Sequence, residues 1–290
     1  MLTKTQFQDA VSHGLRFLDG ATGSNLQKAG MPRGCCTEKW ILENPGALTD
    51  LQKRYAEAGS RILYAPTFQA QPIALAREGL AEDTEKINEK LVALSRSVSE
   101  NVLVAGNLTT LAAYTESWNP ELFDLLVENY RRQIRGLIAG GADLLAAETL
   151  MYPQEAEAIM TAAELEGAGA VMYSFTMQSD GALFSGMEAA PILAELEKGG
   201  AAAVGFNCVA ADNMTPALVS KLRRFVKCPI LCKPNAGNPI IGEDGLPHYP
   251  MTAEEFADVL LQCYVNGAGL LGGCCGTDPE FIRKTAEAIG

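Results

Sequence analysis

Eight short apolar runs recur along the chain, and their spacing limits the fold more than any other feature. They read LRFLDG (15–20), RILYAPT (61–67), VLVAGNL (102–108), DLLAAET (143–149), AVMYSFT (170–176), AAVGFNC (202–208), PILCKPN (229–235) and GLLGGCC (269–275). Their starts lie 27 to 46 residues apart. Each gap has room for a helix and its loops, which is what parallel neighbours require. Strands this continuously apolar need cover on both faces, as in a parallel sheet wrapped by helices.

Helix signals fill the gaps. Asn119-Pro120 supplies an N-cap followed by a proline at the first helical position. Leu122, Leu126, Tyr130, Ile134 and Leu137 then follow at helical spacing. Thr252 and Glu255 form a capping-box pattern, Thr277-Asp278-Pro279-Glu280 opens a last helix, and Ile87, Leu91, Leu94 and Val98 line one face of a helix over 83–98. Gly59, Gly140-Gly141 and Gly267 break helices before the next strand. The count is that of a (β/α)8 TIM barrel, one domain spanning 1–290. Periodicity does not close a sheet, so an open doubly wound sheet fits the same pattern. The segment 20–47 is long for a connection and suits a lid or rim.

Net charge is -12 and the sequence pI is about 4.7, which disfavours nonspecific binding to nucleic acid or anionic membrane. No stretch of 18 apolar residues suggests a membrane span. The start lacks the apolar segment of a signal peptide. A cytoplasmic protein is therefore expected, with reduced thiols. Its eight cysteines then read as core residues, metal ligands or nucleophiles, and with only two histidines a metal site must lean on sulfur.

In a barrel, chemistry collects at the C-terminal ends of the strands. Those ends carry Asp19, Thr67, Asn107, Glu148, Thr176, Cys208, Asn235, Cys274 and Cys275. Successive strand residues face opposite ways, so Cys274 and Cys275 converge on one point only where the strand breaks into loop; the flanking glycines permit that break. Three cysteines on two strand ends suit Zn²⁺ with a fourth position open for a substrate thiol, which the metal would hold as the nucleophilic thiolate. Core filling explains the same cysteines, since cysteine is among the most buried residue types. Cys228, Cys232 and Cys263 read as core, and Cys35-Cys36 as a non-catalytic loop pair. Asp19 and Glu148 suit either an ammonium site or loop bracing. Asp143 begins its strand at the opposite end and reads as structural. GAGLLG (267–272) matches a dinucleotide fingerprint in letters only, because its glycines lead into a strand rather than out of one. His13 lies at the wrong end for catalysis, and His248 in an exposed loop.

LDGATGSNLQ, AAET, GFNC, KPNAG and GGCCGT together resemble the homocysteine S-methyltransferase family, in order from about residue 15 to 289. KPNAG followed by PHYPMTAEEFA resembles its cobalamin-dependent branch. The resemblance implies a barrel with one catalytic Zn²⁺ on Cys208, Cys274 and Cys275. It implies an ammonium site at Asp19 and Glu148, a pocket floor shaped by Gly20 and Ala21, and positioning roles for Asn207 and Asn235. It implies methyl transfer to homocysteine, giving methionine. The chain departs from the family pattern after the second run, where Ala65-Pro66-Thr67-Phe68 replaces an NTF-like turn, and after the third, where GNLTT replaces a GDIGP-like turn.

No corrinoid-binding module is read in these residues, so a methyl-corrinoid protein, or methylcobalamin, is expected to reach the mouth in trans. S-methylmethionine or betaine is the alternative donor. Two further readings differ in class. One is a metal-free barrel lyase using Asp19 and Glu148, with Lys233 as the sole strand-end lysine suited to a Schiff base. The other is a zinc- or thiol-binding partner without turnover.

Overall fold

The strands follow the apolar runs closely. The computed structural model describes residues 1–112, 119–243 and 246–290. Seven strands form one parallel sheet in the order β1 (Ile62–Tyr64), β2 (Leu103–Thr109), β3 (Leu144–Leu150), β4 (Val171–Phe175), β5 (Ala203–Ala210), β6 (Ile230–Asn235) and β9 (Ala268–Leu271). Between β6 and β9, β7 (Ile240–Ile241) and β8 (Pro247–His248) make a small antiparallel pair.

The first run forms no full strand. It contributes only two bridging residues: Phe17 pairs with Leu271 of β9 and Leu18 with Ile62 of β1, both parallel. Leu18 N donates to Leu271 O at 2.7 Å, and Ile62 N donates to Phe17 O at 3.2 Å. Those bonds join the sheet's two edges and close the ring as a (β/α)8 barrel. An open doubly wound sheet would leave both edges unpaired.

The barrel is plugged from inside by Leu18, Ile62, Tyr64, Ala105, Leu144, Ala146, Met172, Ala203, Leu231 and Leu270, all buried. A second, larger core lies between the strands and the outer helices, where Tyr130, Ile134 and Leu137 of helix Pro120–Ala139 are fully buried. The caps fall where expected. Asn119 Oδ1 accepts from Leu122 N at 2.7 Å, Thr252 and Glu255 form a capping box, and Asp278 Oδ1 accepts from Glu280 N at 2.9 Å. Gly59, Gly141 and Gly267 adopt left-handed backbone after their helices. Asp143 sits at the far end, accepting from Val104 N at 2.8 Å and paired with Arg96.

The segment 20–47 carries two short helices, Gly23–Lys28 and Thr37–Glu43, and forms a wall of the mouth. Cys228, Cys232 and Cys263 are buried in the core. No helix among the described residues is long and apolar enough to cross a membrane.

Candidate functional site

Strand parity sets the floor of the mouth. Leu144 and Ala146 face the barrel axis, so Glu148, two residues on, faces it one layer higher. The same alternation carries Ala105 to Asn107, Gly205 to Asn207, and Leu231 to Lys233 and Asn235. Parity would turn Cys208 away from the site, because Asn207 already faces inward. The backbone overrides parity there. Cys208 has φ 57° and Thr149 has φ 59°, and both lie where the strand register shifts, in β5 against β6 and in β3 against β4. A left-handed residue at a bulge re-aims its side chain. Among the described residues these two alone adopt positive φ without being glycine.

Asn207 holds both bulges. Its Oδ1 accepts from Thr149 N at 2.7 Å and from the Ser174 hydroxyl at 2.9 Å, while its Nδ2 donates to Thr149 Oγ1 at 2.7 Å. Its Nδ2 also lies 3.9 Å from Cys274 Sγ. Asn235 does a similar task opposite, its Oδ1 accepting from Cys275 N at 3.0 Å.

β9 ends at Leu271, so Cys274 and Cys275 are in loop, and both reach the same point. Cys208 Sγ lies 3.2 Å from Cys274 Sγ and 3.8 Å from Cys275 Sγ, and all three sulfurs fall within 4.8 Å of one another. Sulfurs on one tetrahedral Zn²⁺ at about 2.3 Å would stand about 3.8 Å apart. The cluster fits one such ion with little adjustment. Hydrogen bonding among the thiols holds that of Cys275 well below its ordinary pKa and pushes that of Cys208 far above. Gly273 is required by packing: a Cβ there would lie 2.3 Å from Thr277 Oγ1.

Beside the sulfurs is a buried charge cluster. Asp19 Oδ2 accepts from Tyr64 N at 2.8 Å, and Glu148 Oε1 accepts from Asn107 Nδ2 at 2.8 Å. Their other oxygens, Asp19 Oδ1 and Glu148 Oε2, make no hydrogen bond. Lys233 Nζ lies 3.3 Å from the first and 3.6 Å from the second, and 4.1 Å from the Tyr64 ring centroid. Burial pushes the Asp19 carboxyl up to about 6, against the pull of Lys233, and raises that of Glu148 as well. Burial works to lower the Lys233 pKa, but the charges of Glu148 and Asp19 outweigh it and leave it well above the lysine range.

The thiols share one cavity of about 390 Å³ with Glu148, Lys233, Tyr64 and Asn107, lined also by Gly20, Ala21, Glu38, Pro66 and Phe68; Asp19 lies behind that lining, against Lys233. Gly20 and Ala21 form part of its wall. A Cβ at Gly20 would come within 2.6 Å of the Tyr55 hydroxyl, and Ala21 O accepts from that hydroxyl at 2.8 Å. Asn207 and Asn235 brace the backbone of the thiols. Cys35 and Cys36 lie in the rim, outside the cavity lining, and His13 is exposed at the opposite end.

The homocysteine S-methyltransferase family model matches residues 16–289. The chain belongs to that family. A homocysteine S-methyltransferase from Escherichia coli is 30% identical over 286 residues, which is 91% of this chain and 92% of that protein. A methionine synthase from Mycobacterium tuberculosis is 27% identical over 307 residues, which is 99% of this chain and 26% of that protein. This family member thus spans about a quarter of the length of the methionine synthases it matches. The crystal structure of the homocysteine methyltransferase MmuM from Escherichia coli, metallated form, superposes with a TM-score of 0.82 at 25% identity, covering 97% of this chain and 99% of that one.

Three lining residues escaped the sequence reading of this family member. Lys233 entered it only as a Schiff-base lysine, although a lysine two positions past Leu231 in a buried strand already signals a charge inside the barrel. Asn107 stood at a strand end without a role, and it orients Glu148. Glu38 carried no signal, because its burial depends on how the 20–47 segment folds back: its Oε1 accepts from Gln69 N at 2.8 Å.

Proposed function

We propose that this chain, acting as one barrel unit over residues 1–290, moves a methyl group onto the sulfur of homocysteine to give methionine. The observation that carries the reading is one cavity lined by three thiols within 4.8 Å of one another and by Glu148, with Asp19 just behind it, the two carboxylates each keeping an oxygen that makes no hydrogen bond and faces Lys233. A sulfur nucleophile and an amino-acid ammonium need those two sets of groups side by side.

Cys208, Cys274 and Cys275 would hold Zn²⁺, and the chemistry it supplies there is stabilisation of an acceptor thiol as thiolate at neutral pH. The protein's own groups orient the acceptor. Asp19 and Glu148 take its ammonium through the oxygens that make no hydrogen bond, sharing them with Lys233. Asn107 and the Tyr64 amide keep those carboxylates turned toward the cavity. Asn207 and Asn235 fix the loops that carry the sulfurs. Pro66, Phe68 and the 20–47 wall narrow the mouth and exclude water, which aligns the attack. As the new C–S bond forms, the bond from methyl to its carrier breaks and the carrier keeps the electron pair.

A methyl-corrinoid protein docking at the mouth, or methylcobalamin itself, is the donor in this reading. Supporting it, the loops after β4, β5 and β6 expose Phe184, Met187, Met214, Ile240 and Ile241 at the mouth end of the barrel. Apolar groups exposed together on neighbouring loops suit a macromolecular contact. The eight free cysteines suit a reducing cytoplasm. The second reading, a small sulfonium such as S-methylmethionine, draws support from the match to 92% of the E. coli homocysteine S-methyltransferase.

The test is methionine formation by zinc-loaded protein from homocysteine, with methylcobalamin and S-methylmethionine as donors in parallel. Methionine from methylcobalamin alone supports the corrinoid route, and methionine from S-methylmethionine supports the second. No methionine from either donor, or from a methyl-corrinoid protein, sinks the methyltransfer reading.

A further inference from the structure

Among the described residues, Lys233 is the one cavity-lining cation. Its side chain is 5% exposed and extends from β6 into the mouth, with the ammonium against the two carboxylate oxygens that lack hydrogen bonds. Contacts of 3.3 and 3.6 Å are longer than the roughly 2.7–2.9 Å of a charge-assisted hydrogen bond. The ammonium has three N–H donors. It is held in place by charge and by the Tyr64 ring at 4.1 Å, and its donors are not consumed by short bonds.

We propose that Lys233 binds the carboxylate of the acceptor amino acid and so sets the enzyme's selectivity for an α-amino acid thiol. The proposal rests on the homocysteine reading above and adds a residue and a role to it.

The charge order in the pocket is the argument. Asp19 and Glu148 are negative, and among the described lining residues Lys233, lying between them, is the only positive group. An α-amino acid carries an ammonium and a carboxylate on one carbon, so the two are a few ångströms apart. Its ammonium placed on Glu148 Oε2, beside Asp19 Oδ1, sets its carboxylate within reach of Lys233, and negative and positive groups then alternate around the contact. Each carboxylate oxygen has a second lone pair, so lysine and substrate ammonium can share the same oxygens. A carboxylate left in this buried cavity without a cation would carry a large desolvation cost. A thiol lacking the carboxylate would leave the lysine donors only their long contacts with Asp19 and Glu148.

The experiment compares two thiols that share the sulfur, the chain length and the ammonium and differ only in the carboxylate: L-homocysteine and 3-aminopropane-1-thiol. The readout is the ratio of their kcat/KM values in wild-type protein and in Lys233→Met. A ratio measured on one preparation does not depend on its folded fraction. Any general harm from leaving Asp19 and Glu148 uncompensated strikes both thiols. Wild-type protein is expected to favour homocysteine by about 10²-fold, the effect of one buried charge-assisted contact, mainly through KM. Lys233→Met is expected to bring that ratio to within a few-fold of one. Ser24→Ala is the companion variant, because the Ser24 hydroxyl also lines the cavity and is buried without a hydrogen bond. If Lys233→Met keeps the wild-type ratio, or Ser24→Ala is the variant that collapses it, the lysine assignment is overturned and the methyltransfer reading stands. Wild-type protein that methylates neither thiol with any donor overturns both.

Discussion

Asn207→Ala tests how the strand ends present the Cys208 sulfur to the proposed zinc site. Asn207 is fully buried and ties the bulge at Cys208 to the bulge at Thr149. The substitution strips partners from three groups: the Thr149 amide, the Thr149 hydroxyl and the Ser174 hydroxyl. An orphaned buried group costs about 1–3 kcal/mol; the Ser174 hydroxyl can turn to Ala147 O and the Thr149 hydroxyl loses only a donor to its oxygen, so the low end applies to them. The total is about 3 kcal/mol. At about 2 °C per kcal/mol for a chain this large, the melting temperature falls by about 6 °C. The two left-handed residues each hold about 1 kcal/mol or more of backbone strain, which they release once the brace is gone. Relaxation at Cys208 swings its sulfur away from Cys274 and Cys275. Zinc affinity should then fall about 10- to 100-fold, as when the support of a metal ligand is removed. Thermal unfolding of metal-free protein reads the first effect, and competition with a chromophoric chelator reads the second. Ser174→Ala removes the 2.9 Å bond to Asn207 and a long 3.5 Å contact with Ala147 O, and should cost about 1 kcal/mol with zinc affinity nearly unchanged. Asn207→Ala protein with less than about 1 kcal/mol of destabilisation and wild-type zinc affinity would refute the brace.

Cys208→Ser should purify with well under one zinc per chain by metal analysis and form no methionine; a full equivalent of zinc would break up the three-sulfur site. Gly273→Ala forces a Cβ to 2.3 Å from Thr277 Oγ1 and should lower zinc affinity about tenfold. The comparison is Gly46→Ala, a helical site with nothing within 4 Å, which should leave zinc binding alone and stabilise by about 0.5–1 kcal/mol. The Asp19 carboxyl, raised from 3.8 to about 6, favours the folded state while protonated; that contribution is whole below about pH 4 and is lost as pH rises through about 6. The proposed ammonium site needs the opposite form, and sulfur bound as thiolate sheds its own proton, so homocysteine affinity by calorimetry should rise about a hundredfold per unit below about pH 6 and about tenfold per unit above it. A single unchanged slope from about pH 5 to about pH 7 would remove Asp19 from the site.

The barrel was legible because each buried strand needs an unbroken apolar run, and seven of the eight runs became strands. LRFLDG was the exception. Its Asp19 and Gly20 leave the ladder for the site, so only Phe17 and Leu18 remain to close the ring. Cys274 and Cys275 were legible as a pair, since glycines on both sides announce a loop. How Cys208 joins them was not. Strand parity points it outward, and only a φ of 57° reverses that, a backbone state that sequence does not encode for a cysteine. Asn207 had a positioning role only by resemblance, for a related reason: its worth depends on Thr149 and Ser174, on two strands that sequence spacing does not bring together. Lys233 was visible as a charge in an apolar strand, but its meaning needed the positions of Asp19 and Glu148 on either side.

The central claim is that the acceptor's sulfur joins the three cysteines while its ammonium rests on Asp19 and Glu148. Zinc K-edge X-ray absorption of the zinc-loaded protein, with and without L-homocysteine, tests it most directly. The account predicts three sulfur neighbours at about 2.3 Å in the free protein and four once homocysteine is bound. A sulfur count that stays at three with saturating homocysteine would contradict it.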